Sequence, residues 1–243
     1  MHRMLILRTL IFYFFVGILT LIWCPLLYLV YPLPFAIRRD LYRVWSRGIF
    51  GLARVCCGIR LQVIGQENIP NHPVIFFSKH QSTWETLVFP HLLPRNCFVC
   101  KKSLLNIPVF GWGMRLGRHI PIDRSAGIRA FKQIIAQGKK RLAQGLSIVI
   151  FPEGTRTPIR THQKFHKTGA ALVKATGSLV IPIAHNAGHY WPNNSIIKRP
   201  GTITVVIGPA IDAQDMNAEE LNNQLYEWIH QRMDRIENEA EYS

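Results

Sequence analysis

Acidic residues are scarce along most of this 243-residue chain. Residues 1–211 hold 27 lysines and arginines but only five acids, whereas residues 212–243 hold nine acids and two arginines. The five acids of the long basic part are Asp40, Glu67, Glu85, Asp123 and Glu153. Such a body favours anionic partners: a phospholipid surface, a phosphorylated substrate or a nucleic acid. A solvated surface that only keeps the protein soluble is the alternative.

Cysteine is also sparse, with five residues that include one adjacent pair. An odd count with this spacing argues against the disulfide framework of a secreted protein. Cys97-x-x-Cys100 lacks the second ligand pair of a zinc site and the context of a redox site, so we expect buried thiols.

Charge is absent from Thr9 to Ile37, a run of 29 residues. This run exceeds the length needed to cross a bilayer, and it is too long for the apolar part of a signal peptide. Because Pro25 interrupts it, two structures fit: one tilted or kinked span, or two half-helices that re-enter the same leaflet. More arginines follow the run than precede it, which predicts that the following domain is cytoplasmic.

The remaining chain alternates short β-rich runs with helical stretches after a basic amphipathic connector at 40–58. This alternation predicts an α/β fold with a sheet covered by helices. We divide the chain into an anchor and connector at 1–58 and an α/β domain at 59–243 that ends in an acidic helix. The predicted strands are Leu61–Ile64, Val74–Ser78, Cys97–Val99, His119–Ile122, Ile148–Phe151, Val180–Ala184 and Thr202–Ile207. The predicted helices are Ser82–Phe89, Ile107–Leu116, Ala126–Gln144, Thr168–Thr176 and Ala218–Asn238.

Three of the five scarce acids, Glu85, Asp123 and Glu153, follow predicted strands. Sites of open α/β sheets collect outside the carboxyl ends of strands, so these acids are candidates for a functional site. His80 and Glu85 would not face each other on one helix, but they meet if His80 lies in the loop before it. The carboxylate would then bind one imidazole nitrogen and leave the other free to take a proton. Alternatively, Glu85 only closes the capping box that begins at Ser82.

Phe151–Arg156 reads Phe-Pro-Glu-Gly-Thr-Arg, an apolar strand followed by a turn and an arginine. Gly154 allows a ligand to approach the backbone closely, and the planar fork of Arg156 suits a phosphate. An ordinary turn with an exposed arginine is the alternative.

Together these segments resemble the glycerolipid, or lysophosphatidate-type, acyltransferases. Lys79–Glu85 is similar to the first motif of that family, N-H-x4-D, and Gly117–Arg124 resembles the second. Phe151–Arg156 matches the third motif, and Val180–Ile183 resembles the fourth. Lys101–Trp112 is similar to the stretch before the second motif. Two departures stand out: Glu85 replaces the usual Asp, and Lys79 replaces the usual Asn, where its charge should lower the pKa of His80 if it lies close.

The resemblance implies a mixed β-sheet flanked by helices, with an N-terminal membrane-anchor helix or helical hairpin. It implies that His80 and Glu85 are catalytic, and that the acyl group goes to the sn-2 hydroxyl of 1-acylglycerol 3-phosphate (lysophosphatidate), which makes phosphatidate. Another lysolipid or glycerol 3-phosphate is the alternative acceptor. The residues it assigns to the glycerol-phosphate site are Lys101, Arg124, Glu153, Gly154, Thr155 and Arg156. Ser82, Asp123 and Pro182 are expected to support the acyl site.

The expected reaction is direct transfer from acyl-CoA or acyl carrier protein, without cofactor or metal, by an enzyme in the cytoplasmic face of a membrane. We expect Glu153 to orient Arg156. An acyl-Ser82 intermediate is a rival mechanism, and His162-x3-His166 is a weak candidate for a metal pair. A membrane-bound anion-binding protein without catalysis is the rival of another class. The anchor argues against a nucleic-acid partner.

Overall fold

Seven strands form one mixed sheet in the computed structural model of the chain, which describes residues 2–108, 110–123 and 126–241. The strands are β1 (Ile59–Ile64), β2 (Ile75–Ser78), β3 (Asn96–Lys101), β4 (Ile120–Ile122), β5 (Ser147–Ile150), β6 (Val180–His185) and β7 (Gly201–Ile207). Their spatial order is β1-β7-β6-β2-β5-β3-β4, and only the β6–β7 pair is antiparallel. The predicted mixed sheet is therefore confirmed, and the predicted strand ends differ from the observed ones by at most two residues.

Helices cover both faces of this sheet. They are α1 (His2–Leu29), α2 (Phe35–Cys57), α3 (Trp84–Leu92), α4 (Phe110–Leu116), α5 (Ile128–Ala143), α6 (Thr168–Thr176), α7 (Ala187–Tyr190) and α8 (Ala218–Glu241). Strand β2 shows why the central strands are apolar throughout. Phe76 packs in the core shared with α2 and α3, whereas Ile75 and Phe77 pack in the core shared with α5, α6 and α8. Since successive side chains point to opposite faces, both faces demand apolar residues.

The N-terminal helices α1 and α2 form an antiparallel hairpin. Near the turn, Trp23 Nε1 donates to Leu41 O over 2.9 Å, and at the far end Arg8 Nε donates to Cys56 O over 2.7 Å. Helix α1 continues through Pro25, and the chain reverses between Leu29 and Phe35. The hairpin therefore pairs the whole apolar helix with the basic connector, rather than two halves of the apolar run.

One side of α1 packs on the rest of the molecule, and the other side is open. Phe12 makes an edge-to-face contact with Trp191, and Lys198 N donates to Thr9 Oγ1 over 3.0 Å. Away from this contact, large apolar side chains such as Leu7, Phe14 and Leu21 are more than half exposed. By length and composition, α1 is the one helix of the described residues that is able to cross a membrane.

Candidate active site

His80 lies in the loop between β2, which ends at Ser78, and α3, which begins at Trp84. Because β2 is flanked by parallel β5 and β6, the loop sits at the edge of the sheet where three strands end together. The turn after β5 carries Glu153 and Arg156 to this same edge. The sheet thus brings two of the sequence motifs together from segments more than 70 residues apart.

The His80 and Glu85 side chains are in direct contact. His80 Nδ1 lies 2.7 Å from Glu85 Oε1, and the imidazole stacks on the Phe151 ring with centroids 4.0 Å apart. His80 is in the loop and Glu85 is in the first turn of α3, the arrangement that lets residues five apart meet. The hydrogen bond to Glu85 leaves Nε2 as the imidazole nitrogen available to a substrate.

Glu85 also performs the capping function that was the alternative to catalysis. The same Oε1 accepts hydrogen bonds from Gln81 N at 3.0 Å and Ser82 N at 2.9 Å. Burial raises the pKa of Glu85, but the neighbouring His185, the hydrogen bond from His80 and the Ser82 N–H together lower it below its ordinary value. The carboxylate is therefore charged when it holds the imidazole. The same oxygen, Oε1, both caps helix α3 and orients the His80 ring.

The hydroxyl of Ser82 is occupied by structural hydrogen bonds. It donates to Trp191 O over 2.6 Å and accepts from Trp84 N at 3.0 Å, and the residue is fully buried. These contacts begin helix α3 and tie it to the loop after α7. They give Ser82 a supporting role and leave its oxygen poorly placed for an acyl-serine intermediate.

Lys79 points away from the imidazole that it precedes in the chain. Its Nζ lies 2.6 Å from Glu153 Oε1 and donates to Thr161 O over 2.8 Å, with the side chain only 1 % exposed. From the sequence we expected the Lys79 charge to lower the pKa of His80 if it lay close. The structure instead directs its charge into the interior, where it neutralises Glu153.

Glu153 has a different set of partners from the one that we expected. Its Oε2 accepts the backbone N–H of His80 at 2.9 Å, and Oε1 accepts from Lys79 and from Thr157 Oγ1 at 3.3 Å. Burial raises the pKa of Glu153, while the Lys79 ammonium opposes that rise. Glu153 thus fixes the backbone of the His80 loop, and Arg156 donates to Asn193 Oδ1 instead.

A cavity of about 850 Å³ opens in front of His80. The polar part of its lining is exposed and includes Lys101, Thr155, Arg156, His166 and Asn193. The apolar part is mostly buried and comes from β3, β4, β5, α4 and α5. It includes Val99, Met114, Ile122, Ala130, Phe131, Ile134 and Ile150. This volume lies within the usual range for sites that enclose a ligand of moderate size.

Gly154 brings the backbone close to the polar residues that line this cavity. Its φ of +72° is in the left-handed region, and a Cβ there would lie 2.9 Å from His166 Cδ2. Glycine adopts this backbone conformation without strain, and because it has no Cβ it leaves room for the His166 ring. His166 and Asn193 are cavity residues that sequence reasoning did not assign, although His166 belongs to the pair weighed as metal ligands.

Other predicted site residues lie apart from the cavity or outside the described chain. Asp123 follows β4 at an exposed position, and Pro182 is buried in the middle of β6 beside Gly208. Arg124 lies outside the described residues, so its assignment stays a prediction. His162 Nε2 pairs with Asp234 Oδ1 at 2.9 Å, apart from His166, and no cluster within residues 2–108, 110–123 and 126–241 suits a metal ion.

An oriented imidazole over a cavity lined by exposed cations and apolar side chains has the features of an enzyme active site. A family model described as Acyltransferase matches residues 60–186, about half of the chain. A protein of Pseudomonas aeruginosa named 1-acyl-sn-glycerol-3-phosphate acyltransferase is 43 % identical over 94 % of this chain and 91 % of its own length. The chain therefore belongs to the acyltransferase family and is an enzyme of that class.

More distant relatives agree with this assignment. A Cocos nucifera protein of the same name is 27 % identical over 87 % of this chain and 68 % of its own length. The crystal structure of the 1-acyl-sn-glycerophosphate (LPA) acyltransferase from Thermotoga maritima superposes with a TM-score of 0.80 and covers 95 % of both chains. At 22 % identity that similarity supports the fold.

Proposed function

We propose that this enzyme transfers a fatty acyl group from a thioester to the sn-2 hydroxyl of 1-acylglycerol 3-phosphate, which yields phosphatidate for phospholipid biosynthesis. The observation that carries the proposal is the position of the His80–Glu85 pair, between a cationic mouth and an apolar cavity. The name of the Pseudomonas aeruginosa relative supports this choice of acceptor over other lysolipids and glycerol 3-phosphate.

In the proposed mechanism His80 is the general base. With Nδ1–H donated to Glu85, the Nε2 lone pair accepts the proton of the acceptor hydroxyl as its oxygen attacks the thioester carbonyl. The C–O bond forms, the C–S bond breaks, and the departing thiolate takes the proton back from the imidazolium. Glu85 stabilises the imidazolium, as the acid of a serine-type triad does, while the substrate alcohol takes the place of a protein nucleophile.

The cations of the cavity mouth supply the phosphate site. Lys101 and Arg156 are exposed residues of the cavity lining, and Gly154 and Thr155 line the same cavity as His80. A guanidinium can bind two phosphate oxygens, and a nearby ammonium adds a point charge. In this assignment Glu153, which lies behind His80, is a positioning residue rather than a ligand of glycerol phosphate.

The apolar lining of the cavity is a site for one acyl chain. Residues of α5 form part of this lining, and Tyr42 of α2 also belongs to it. Helix α2 of the hairpin therefore borders the cavity, which suits an acceptor and a product that both live in a bilayer.

The open apolar side of α1 is the proposed membrane contact. Basic side chains of α2, including Arg39 and Arg47, would meet anionic headgroups beside it. Placement of the enzyme on the cytoplasmic face remains a prediction from the distribution of arginines.

The test is an acceptor panel with purified protein in neutral detergent. Labelled acyl-CoA and acyl carrier protein are offered with lysophosphatidate, glycerol 3-phosphate and uncharged lysolipids. We expect lysophosphatidate to be acylated fastest, and His80→Ala to lower kcat by roughly 10²–10⁴ while vesicle binding is unchanged. His72→Ala, an exposed histidine, is the matched control. Turnover by His80→Ala at the wild-type rate would overturn the mechanism, and failure with lysophosphatidate alone would overturn the acceptor.

A further inference from the structure

Glu237, near the end of helix α8, is a buried carboxylate that the reaction above does not use. The apolar face of α8 packs in the core through Leu221, Leu225, Ile229, Met233 and Ile236. Glu237 adjoins this face and is only 2 % exposed. A charge at such a position is destabilising unless hydrogen bonds satisfy it, so its partners indicate what it does.

Each oxygen of Glu237 binds a different active-site segment. Gln81 Nε2 donates to Oε1 over 2.5 Å, and Arg160 N donates to Oε2 over 2.9 Å. Gln81 directly follows His80, and Arg160 follows the Phe-Pro-Glu-Gly-Thr-Arg turn. One side chain of the C-terminal helix thus joins the two loops that meet at the catalytic histidine.

Gln81 links Glu237 to the His80–Glu85 pair, because its side chain binds Glu237 and its backbone binds Glu85. Gln81 N donates to the same Glu85 oxygen that holds the imidazole. The Gln81 side chain is only 2 % exposed, and it packs so closely on Gly188 that a Cβ there would lie 3.1 Å from Gln81 Oε1. Fixing the side-chain amide therefore fixes the peptide that carries one of the hydrogen bonds to Glu85.

The contact with Arg160 reaches His80 from the other side. Arg160 has a φ of +56°, a strained conformation for a non-glycine residue that its N–H bond to Glu237 helps to hold. The next carbonyl, Thr161 O, accepts Lys79 Nζ, and Lys79 pairs with Glu153, which binds His80 N. Both routes end on the backbone of the His80 loop.

From this geometry we propose that Glu237, on the C-terminal helix, is a positioning residue that fixes the conformation of the His80 loop. Its hydrogen bonds to Gln81 and Arg160 hold the imidazole and Glu85 in register for proton transfer. This inference rests on the proposed role of His80. It assigns a function to a helix that lies beyond residues 60–186, the part of the chain that the family model matches.

The test compares kcat and KM with the fraction of folded protein. Glu237→Ala should lower kcat by about 10- to 100-fold, since small displacements of reacting groups have effects of that size, with KM for the acceptor nearly unchanged. Glu239→Gln, which removes an exposed carboxylate from the same helix, should match wild type. Loss of thermal stability with wild-type kcat per folded molecule would show that Glu237 is only stabilising.

An exchange of the two partners provides a rescue experiment. Gln81→Glu places two carboxylates next to each other and should lower kcat strongly. Gln81→Glu combined with Glu237→Gln restores an amide–carboxylate pair, and the new amide oxygen still accepts from Arg160 N. The double variant should therefore recover most of the activity. If it is no better than Gln81→Glu alone, the positioning role is wrong, and this comparison decides even where Glu237→Ala does not fold. Wild-type activity in His80→Ala would instead refute the proposed role of His80 as general base, on which this inference rests.

Discussion

The residues on the two sides of the His80 loop differ in burial. Those on one side are buried and hydrogen-bonded within the protein, and those on the other side are exposed to the cavity. Behind the loop is a group of buried charged residues that are hydrogen-bonded within the protein; we term it the rear frame, and it is defined by Lys79, Glu85, Glu153 and Glu237. In front is the cavity mouth, defined by Lys101, Arg156 and His166, where side chains are exposed to a space large enough for a ligand. The buried, hydrogen-bonded residues hold the site in place, whereas the exposed residues are able to bind a substrate.

One motif contributes to both sides. Within Phe151–Arg156, Glu153 is 1 % exposed and binds Lys79 and the backbone of His80, whereas Arg156, three residues later, is exposed at the cavity. The left-handed Gly154 between them turns the chain from one side to the other. A shared motif therefore does not imply a shared role, and the two sides should respond differently to perturbation.

The largest expected effect is on stability, from Lys79→Met in the rear frame. The change leaves Glu153 buried without its cation, and breaking one partner of a buried pair destabilises by about 3–5 kcal/mol. Denaturant unfolding in detergent, followed by tryptophan fluorescence, measures the change. Adding Glu153→Gln should recover part of the loss, because the amide is neutral and still accepts the His80 N–H.

The matched control is the Lys167–Glu219 pair, which has a similar Nζ–Oε distance of 3.0 Å but is about 70 % exposed on both sides. Lys167→Met should change the free energy of unfolding by at most about 1 kcal/mol. Equal losses in the two variants would contradict the distinction between rear frame and surface.

The next effect is on catalysis, from Glu85→Gln. The glutamine oxygen still accepts from Gln81 N and Ser82 N, so the cap of α3 should persist. A neutral amide does not stabilise the imidazolium, and we expect kcat to fall roughly 100-fold with a modest change in stability. Glu67→Gln, at an exposed position, is the control. A large loss of stability with normal kcat per folded molecule would make Glu85 a cap alone.

Sequence reasoning succeeded where the determining interactions are local. Short β-rich runs predicted the strands, and in a central strand such as β2 these runs are apolar because helices cover both faces of the sheet. The His80–Glu85 contact spans five residues and was inferred from a loop followed by a capping box. Helix α7, only four residues long, was not predicted, since one turn carries no periodic pattern.

The rear frame was not predictable in the same way. Glu153 binds a backbone group 73 residues away, and Glu237 binds a side chain 156 residues away. Such contacts depend on which strands are neighbours in the sheet and on where α8 packs, and neither is encoded in local spacing. For the same reason Lys79 was assigned an effect on its sequence neighbour His80, although its partner comes from another strand end.

A smaller effect is expected at the cavity mouth, from Arg156→Ala. Loss of one exposed guanidinium should raise KM for lysophosphatidate by about tenfold, the equivalent of 1–2 kcal/mol for a charge-assisted hydrogen bond, with less effect on kcat. Lys164→Ala, an exposed lysine in the loop that precedes α6, should leave KM unchanged. A fall in kcat at constant KM would place Arg156 with the rear frame instead.

Ionic strength provides the mildest perturbation and acts on both sides at once. Raising salt from 0.1 M to 1 M shortens the Debye length from about 10 Å to about 3 Å, so attraction between exposed cations and a phosphate should weaken and KM should rise roughly threefold. The buried Lys79–Glu153 pair excludes the salt ions, so kcat should stay constant. Assays in neutral detergent separate this effect from binding to anionic lipid. In Arg156→Ala the salt dependence of KM should shrink, because one of the screened charges is gone. A salt-dependent kcat with a constant KM would reverse the assignment of the two sides, since it would place the screened charges in the frame that holds His80.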